Sequence, residues 1–160
     1  MGMDVYGRKP KNEQGEYFRA NVWYWHPLWD CLHQLHPIIC DKCESPHDNS
    51  GDGLNARDSL ALSKLLKKDL EKGIIEEYIS QYYAHMDSLP LEDCKYCDGL
   101  GIRVWKEADA NGQEQSVTKQ CNACEGTLKV SSFATHYHMD YDLVVEFQQF
   151  LQNCGGFEIC

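Results

Sequence analysis

The chain has 160 residues, and 15 Lys plus Arg against 25 Asp plus Glu leave a formal net charge of −10. A chain of this length buries ~70% of its extended surface, so a 42% apolar fraction is enough for one real core. The acidic balance repels phosphate backbones and anionic bilayers, which argues against general nucleic-acid binding and against membrane association.

No apolar run approaches the ~20 residues that span a bilayer, and the first residues lack the apolar stretch of an export signal. A cytoplasmic protein is the expectation. The nine cysteines are an odd number, which disfavours a complete disulfide framework. Six of them fall in CxxC pairs, Cys40/Cys43, Cys94/Cys97 and Cys121/Cys124, and paired thiols in a reducing compartment point first to metal.

Met3–Tyr6 reads as a short strand, and the aromatic, β-prone stretch Tyr17–Trp25 reads as extended. Pro27 suits the first turn of a helix. Leu28, Cys31, Leu32 and Leu35 share one face, and Pro37 stops the run. Ile38–Gly53 holds the first CxxC and the small polar run HDNSGDG, a loop signature. Leu54–Lys72 carries a leucine stripe that Asn55 or Asp58 can cap. Ile74–Ser88 repeats apolar residues at helical spacing, so the two segments form a helical hairpin or one bent helix.

Within 91–130, Ile102–Lys106 and Ser116–Lys119 flank a hairpin turn signal at Asn111-Gly112. Thr127–Val130 is a further candidate strand. Asp140 can cap a last helix through Gln152, and Phe157–Cys160 is an extended tail. These elements describe an α+β protein. The reading is a small single domain, 1–160, with about three helices and a four-cysteine, zinc-ribbon-like hairpin as a subdomain over 91–130.

Zinc takes four borderline-soft ligands in a tetrahedron, and a CxxC turn presents two thiolates from one tight loop. Cys94, Cys97, Cys121 and Cys124 form two such turns, each followed by glycine, and are the predicted zinc ligands. Four protein ligands leave no open position, so this zinc replaces a core rather than activating water. Lys95, Arg103, Lys106 and Lys119 either offset the charge of the thiolates or face solvent.

Cys40, Cys43 and His47 need one more ligand for a second zinc, with His36 the first choice and Cys31 or His33 next. The HDNSGDG run reads as a helix-capping turn rather than a calcium loop, because Ser59 stands where a bidentate Glu is required. Trp23 and Trp25, with Arg19, His26 and Asp52 as a polar rim, form either core packing or a ligand patch.

Two resemblances follow from these motifs. Cys94–Gly101 reads CxxCxGxG and resembles one repeat of the cysteine-rich zinc region of DnaJ-type chaperones. That likeness implies zinc ligation by Cys94, Cys97, Cys121 and Cys124, with Leu128 standing where a second glycine would be. Over most of its length, through GEYFRANVWYWHPLW, SGDGLNA, CNACEG and FLQNCGGFEIC, the chain resembles a family of small uncharacterised bacteriophage and bacterial proteins. That likeness implies ordered termini and no particular activity.

The function expected is that of a zinc-stabilised binding or adaptor protein with a protein partner. One alternative is a small-ligand or nucleotide-binding protein using the Trp-rich patch. Another is a metal-assisted hydrolase built on His26, His47 and Asp52, or on His136 and His138.

Overall fold

The computed structural model describes residues 2–109 and 112–160 and divides into two compact units, Met1–His85 with His136–Cys160, and Met86–Thr135. The turn expected at Asn111-Gly112 lies partly outside the described residues.

In the first unit, β1 (Gly2–Gly7) pairs antiparallel with β2 (Tyr17–Asn21), Val5 opposite Phe18. The chain then turns directly into α1 (Val22–Leu35), so Val22–Trp25 is helical where β-propensity favours a strand. The switch is local. The Asn21 side chain accepts the Trp23 amide at 3.1 Å, capping the helix four residues earlier than its aromatic content suggests. Pro27 therefore sits inside the helix and cannot donate to the Trp23 carbonyl. That carbonyl instead accepts the His138 amide at 2.8 Å, which ties the segment before the last helix onto α1.

Pro37 ends α1 and opens a further short helix, α2 (Pro37–Cys40), in what the sequence marks as loop. Next come α3 (Ala56–Glu71) and α4 (Ile74–Ser88). Asn55 caps α3 by accepting the Asp58 amide at 3.0 Å, and Asp58 in turn accepts Lys42 Nζ at 2.6 Å.

In the second unit, β3 (Glu92–Asp93) pairs antiparallel with β6 (Lys129–Val130), and β4 (Ile102–Ala108) with β5 (Glu114–Gln120). The helix α5 (Tyr141–Asn153) is capped by Asp140, and β7 (Phe157–Ile159) returns the chain to the first sheet, whose order is β2-β1-β7. The described residues thus hold five α-helices, against about three expected.

The core of the first unit lies between that sheet and α1, α3 and α5. Trp25, Trp29, Phe147, Phe150 and Phe157 are fully buried there. Trp25 and Trp29 stack with ring centroids 5.7 Å apart, and Phe147 meets Trp25 edge-on at 5.5 Å. Trp25 satisfies its indole N–H with the Pro46 carbonyl at 2.7 Å. Where α3 meets α5, a buried polar pair is self-satisfied. Gln148 Nε2 donates to Ser63 Oγ at 2.9 Å, and Ser63 Oγ donates to the Gln148 carbonyl at 3.2 Å.

Candidate metal centre

Among the described residues, the second unit has no apolar core of the ordinary kind. Its buried cluster consists of Cys94, Cys97, Cys121 and Cys124, with Val130 packed against them. Strands β3 and β4 flank the first CxxC turn, and β5 and β6 flank the second. The sheet pairings therefore bring the turns face to face.

The two turns are copies of one another at an offset of 27 residues. Cys94 N–H donates to the Leu128 carbonyl at 2.8 Å, and Cys121 N–H donates to the Gly101 carbonyl, also at 2.8 Å. Leu100 N–H bonds the Cys97 carbonyl as Thr127 N–H bonds the Cys124 carbonyl, each at 2.8 Å. After each turn the backbone enters the left-handed region at matching positions, Asp98 and Glu125, Gly99 and Gly126, then Gly101 and Leu128.

The sulfur geometry tests whether a metal fits. Cys94 Sγ lies 3.9 Å from Cys121 Sγ, and Cys97 Sγ lies 3.8 Å from Cys124 Sγ. A tetrahedron with metal–sulfur bonds of about 2.3 Å has edges of about 3.8 Å. All four sulfurs lie within 4.8 Å of one another. Two edges match that value and the rest fall within 4.8 Å, which is compatible with one tetrahedral ion and far outside the ~2.05 Å of a disulfide bond. The four cysteines could therefore hold a metal ion.

The electrostatics act in opposite directions on two of the four thiols. Burial pushes the Cys94 thiol up to about 11, with the Tyr96 amide only partly offsetting it. At Cys121 burial acts in the same direction, but the amides of Cys124 and Ala123, together with the Cys124 and Cys94 thiols, outweigh it and bring the thiol down to about 7. Backbone N–H groups aimed at a sulfur stabilise thiolate, the form that ligates. Three of the nearby cations have partners of their own. Arg103 lies over the Trp105 ring at 4.9 Å, Lys106 pairs with Glu114 at 3.6 Å, and Lys119 pairs with Glu107.

The second ligand set drawn from the sequence is not assembled. Among the described residues, the four cysteines of the second unit are the only such group of three or more within ligand distance. His36 Nε2 is held at 2.5 Å by Asp69 Oδ2, both nearly buried, so the first-choice fourth ligand points at α3. Burial pushes the Cys40 and Cys43 thiols up to about 12, and Cys43 is hydrogen-bonded to Asp52. His47 lies instead against His26, ring centroids 4.3 Å apart. Burial first, and then His47, hold the His26 pKa below the ordinary imidazole value.

The aromatic patch is likewise dispersed. Trp25 is core, and Trp23 packs on Tyr137 at 5.0 Å. Arg19 faces out beside Asp4 at 3.5 Å. Asp52 accepts the Ser45 and Gly53 amides at 2.8 and 2.7 Å as a turn-former. His136 and His138 are each taken up by packing on α1, against Trp23 and Tyr24. Except for the local turn at Asp52, periodicity and spacing could not show these partners, because they come from other elements.

Among the described residues no helix is long and apolar enough to cross a membrane. No family model, curated protein or solved structure matches the chain.

Proposed function

We propose that this chain is a zinc-stabilised binding protein acting through protein contacts. The observation that carries the reading is the closed set of four buried thiolate donors at tetrahedral spacing. Zinc is an ion that an all-cysteine tetrahedron suits. The site has no position left for water or substrate, so its role is to fold the unit around it. The matched turns, 27 residues apart, support the likeness to the DnaJ-type zinc region at the level of ligation.

What the zinc unit offers is surface. Leu100, Ile102 and Val104 are 71%, 48% and 69% exposed, and Ile102 and Val104 share a face because strand side chains alternate. Exposed apolar residues gathered on one ribbon are an interaction signature, unlike single ones scattered over a surface. The net charge of −10 directs that interaction towards proteins rather than polynucleotides.

A comparison of three bait proteins tests this reading: the zinc-loaded chain, the chelated chain, and a Val104→Asp variant that keeps its zinc. A partner retained by the first and lost by both others is expected. Equal recovery from all three would refute it.

A further inference from the structure

His26, Asp30 and His47 gather in the first unit. His26 and Asp30 stand four residues apart on α1, which places them one turn apart on the same helix face. His47 reaches them from the loop after α2. The ring of His26 is stacked with Tyr137, centroids 5.6 Å apart and planes inclined by 15°, so its orientation is fixed before any ligand arrives.

We propose that His26, Asp30 and His47 form a second, open site for a divalent transition-metal ion. Imidazole and carboxylate donors suit zinc, cobalt and nickel, and three protein ligands leave a position for water or a small anion.

The separations within the cluster carry the argument. His47 Nε2 lies 3.4 Å from Asp30 Oδ1, beyond the 2.7–3.2 Å of an ordinary hydrogen bond. A tetrahedral ion with bonds of about 2.0–2.1 Å to nitrogen and oxygen spaces its ligands about 3.3 Å apart. Other histidine–carboxylate pairs in the unit behave differently. His33 and Asp41 close to 2.7 Å, and His36 and Asp69 to 2.5 Å, as hydrogen-bonded pairs with no room for an ion between them. The His26 and His47 rings lie beside each other, centroids 4.3 Å apart and planes inclined by 59°.

The three donors do not yet all lie within 4.8 Å of one another, a condition that only the four cysteines meet among the described residues. Asp30 and His47 already meet that condition at 3.4 Å, so closing the set means bringing this pair, 66% and 37% exposed, within reach of His26 by side-chain rotation. Both line an open cleft of about 310 Å³, which leaves space for that rotation and for the remaining ligands.

The test starts from untagged protein carrying zinc on its cysteines. Cobalt(II) is added, and bound metal is measured by equilibrium dialysis together with the absorption spectrum. One additional equivalent is expected, bound without the near-ultraviolet thiolate charge-transfer band. His47→Ala and His26→Ala should abolish it. Asp30→Asn, an exposed and conservative change, should weaken it by roughly tenfold or more, since even outer-shell partners of a metal cost that much. The proposal is overturned if no additional cobalt binds, if binding survives both histidine substitutions, or if the added cobalt shows thiolate charge transfer. The last outcome would assign the added cobalt to cysteine thiols instead.

Discussion

Gly101 and Leu128 occupy equivalent places in the two cysteine turns. Each accepts the amide of the other turn's first cysteine at 2.8 Å, and each has a left-handed backbone, with φ of 70° and 67°. Glycine takes that conformation freely, whereas leucine pays about 1 kcal/mol for it. Gly101 is also constrained by packing, because an added Cβ would lie 3.2 Å from Leu128 Cδ2 and 3.3 Å from the Gly126 carbonyl. Gly101→Ala should therefore destabilise the metal-bound unit by about 1–2 kcal/mol, seen as faster loss of metal to a chelator. Leu128→Gly should shift the same measurement by less than about 1 kcal/mol, because relief of strain opposes the lost side chain. Equal, large losses in both variants would contradict the pseudo-symmetric reading.

Removal of one ligand should be selective. Cys121→Ser takes away a donor that is fully buried and amide-supported, and the second unit has little else to fold around. Loss of metal and of the β4–β5 pairing is expected in amide exchange, since metal binding and local folding are coupled. The first unit has its own aromatic core, so the near-ultraviolet circular dichroism of the Trp25–Trp29 pair should persist.

The Ser63–Gln148 pair between α3 and α5 gives a test of packing. Ser63→Ala removes a partner from a buried amide and should cost about 1–2 kcal/mol in denaturant unfolding. The double variant Ser63→Ala/Gln148→Leu, which removes both polar partners, should recover part of that loss. If the two changes are simply additive, the pair is not coupled as the hydrogen bonds indicate.

Asp58 makes acid stability testable. The Lys42 ammonium bonded to it, with the Asn55 side chain, holds its carboxyl below the ordinary value despite some desolvation. A carboxyl whose folded pKa is depressed contributes stability above its unfolded pKa, about 3.9, and loses that contribution as pH falls through the folded pKa. Unfolding free energy should therefore drop below about pH 4, and Lys42→Met should make the drop shallower. An unchanged acid limb in that variant would remove Asp58 from the account.

The fold was legible where local chemistry and tertiary structure agree. The leucine stripe of α3 with its Asn55 cap, the Asp140 cap of α5, and the alternation of β4 are all visible in the residues themselves. The start of α1 was not legible, because β-prone aromatics at Val22–Trp25 are overruled by one Asn21 cap and by burial of Trp25 and Trp29. The strand Glu92–Asp93 has no apolar signal, and exists because Lys129–Val130 pairs with it beside the four-cysteine cluster. The four-cysteine set could be read because each CxxC turn delivers two ligands locally. The N-terminal set failed for the opposite reason. His36 finds Asp69 33 residues away, and no spacing rule anticipates that partner.

The central claim is that Cys94, Cys97, Cys121 and Cys124 hold one zinc ion. Elemental analysis of untagged protein, purified under reducing conditions without added metal, tests it most directly, with Cys97→Ser/Cys124→Ser measured alongside. About one equivalent of zinc in the parent protein and almost none in the double variant is the predicted result. Less than about half an equivalent in the parent, or zinc that survives the double substitution, would contradict it.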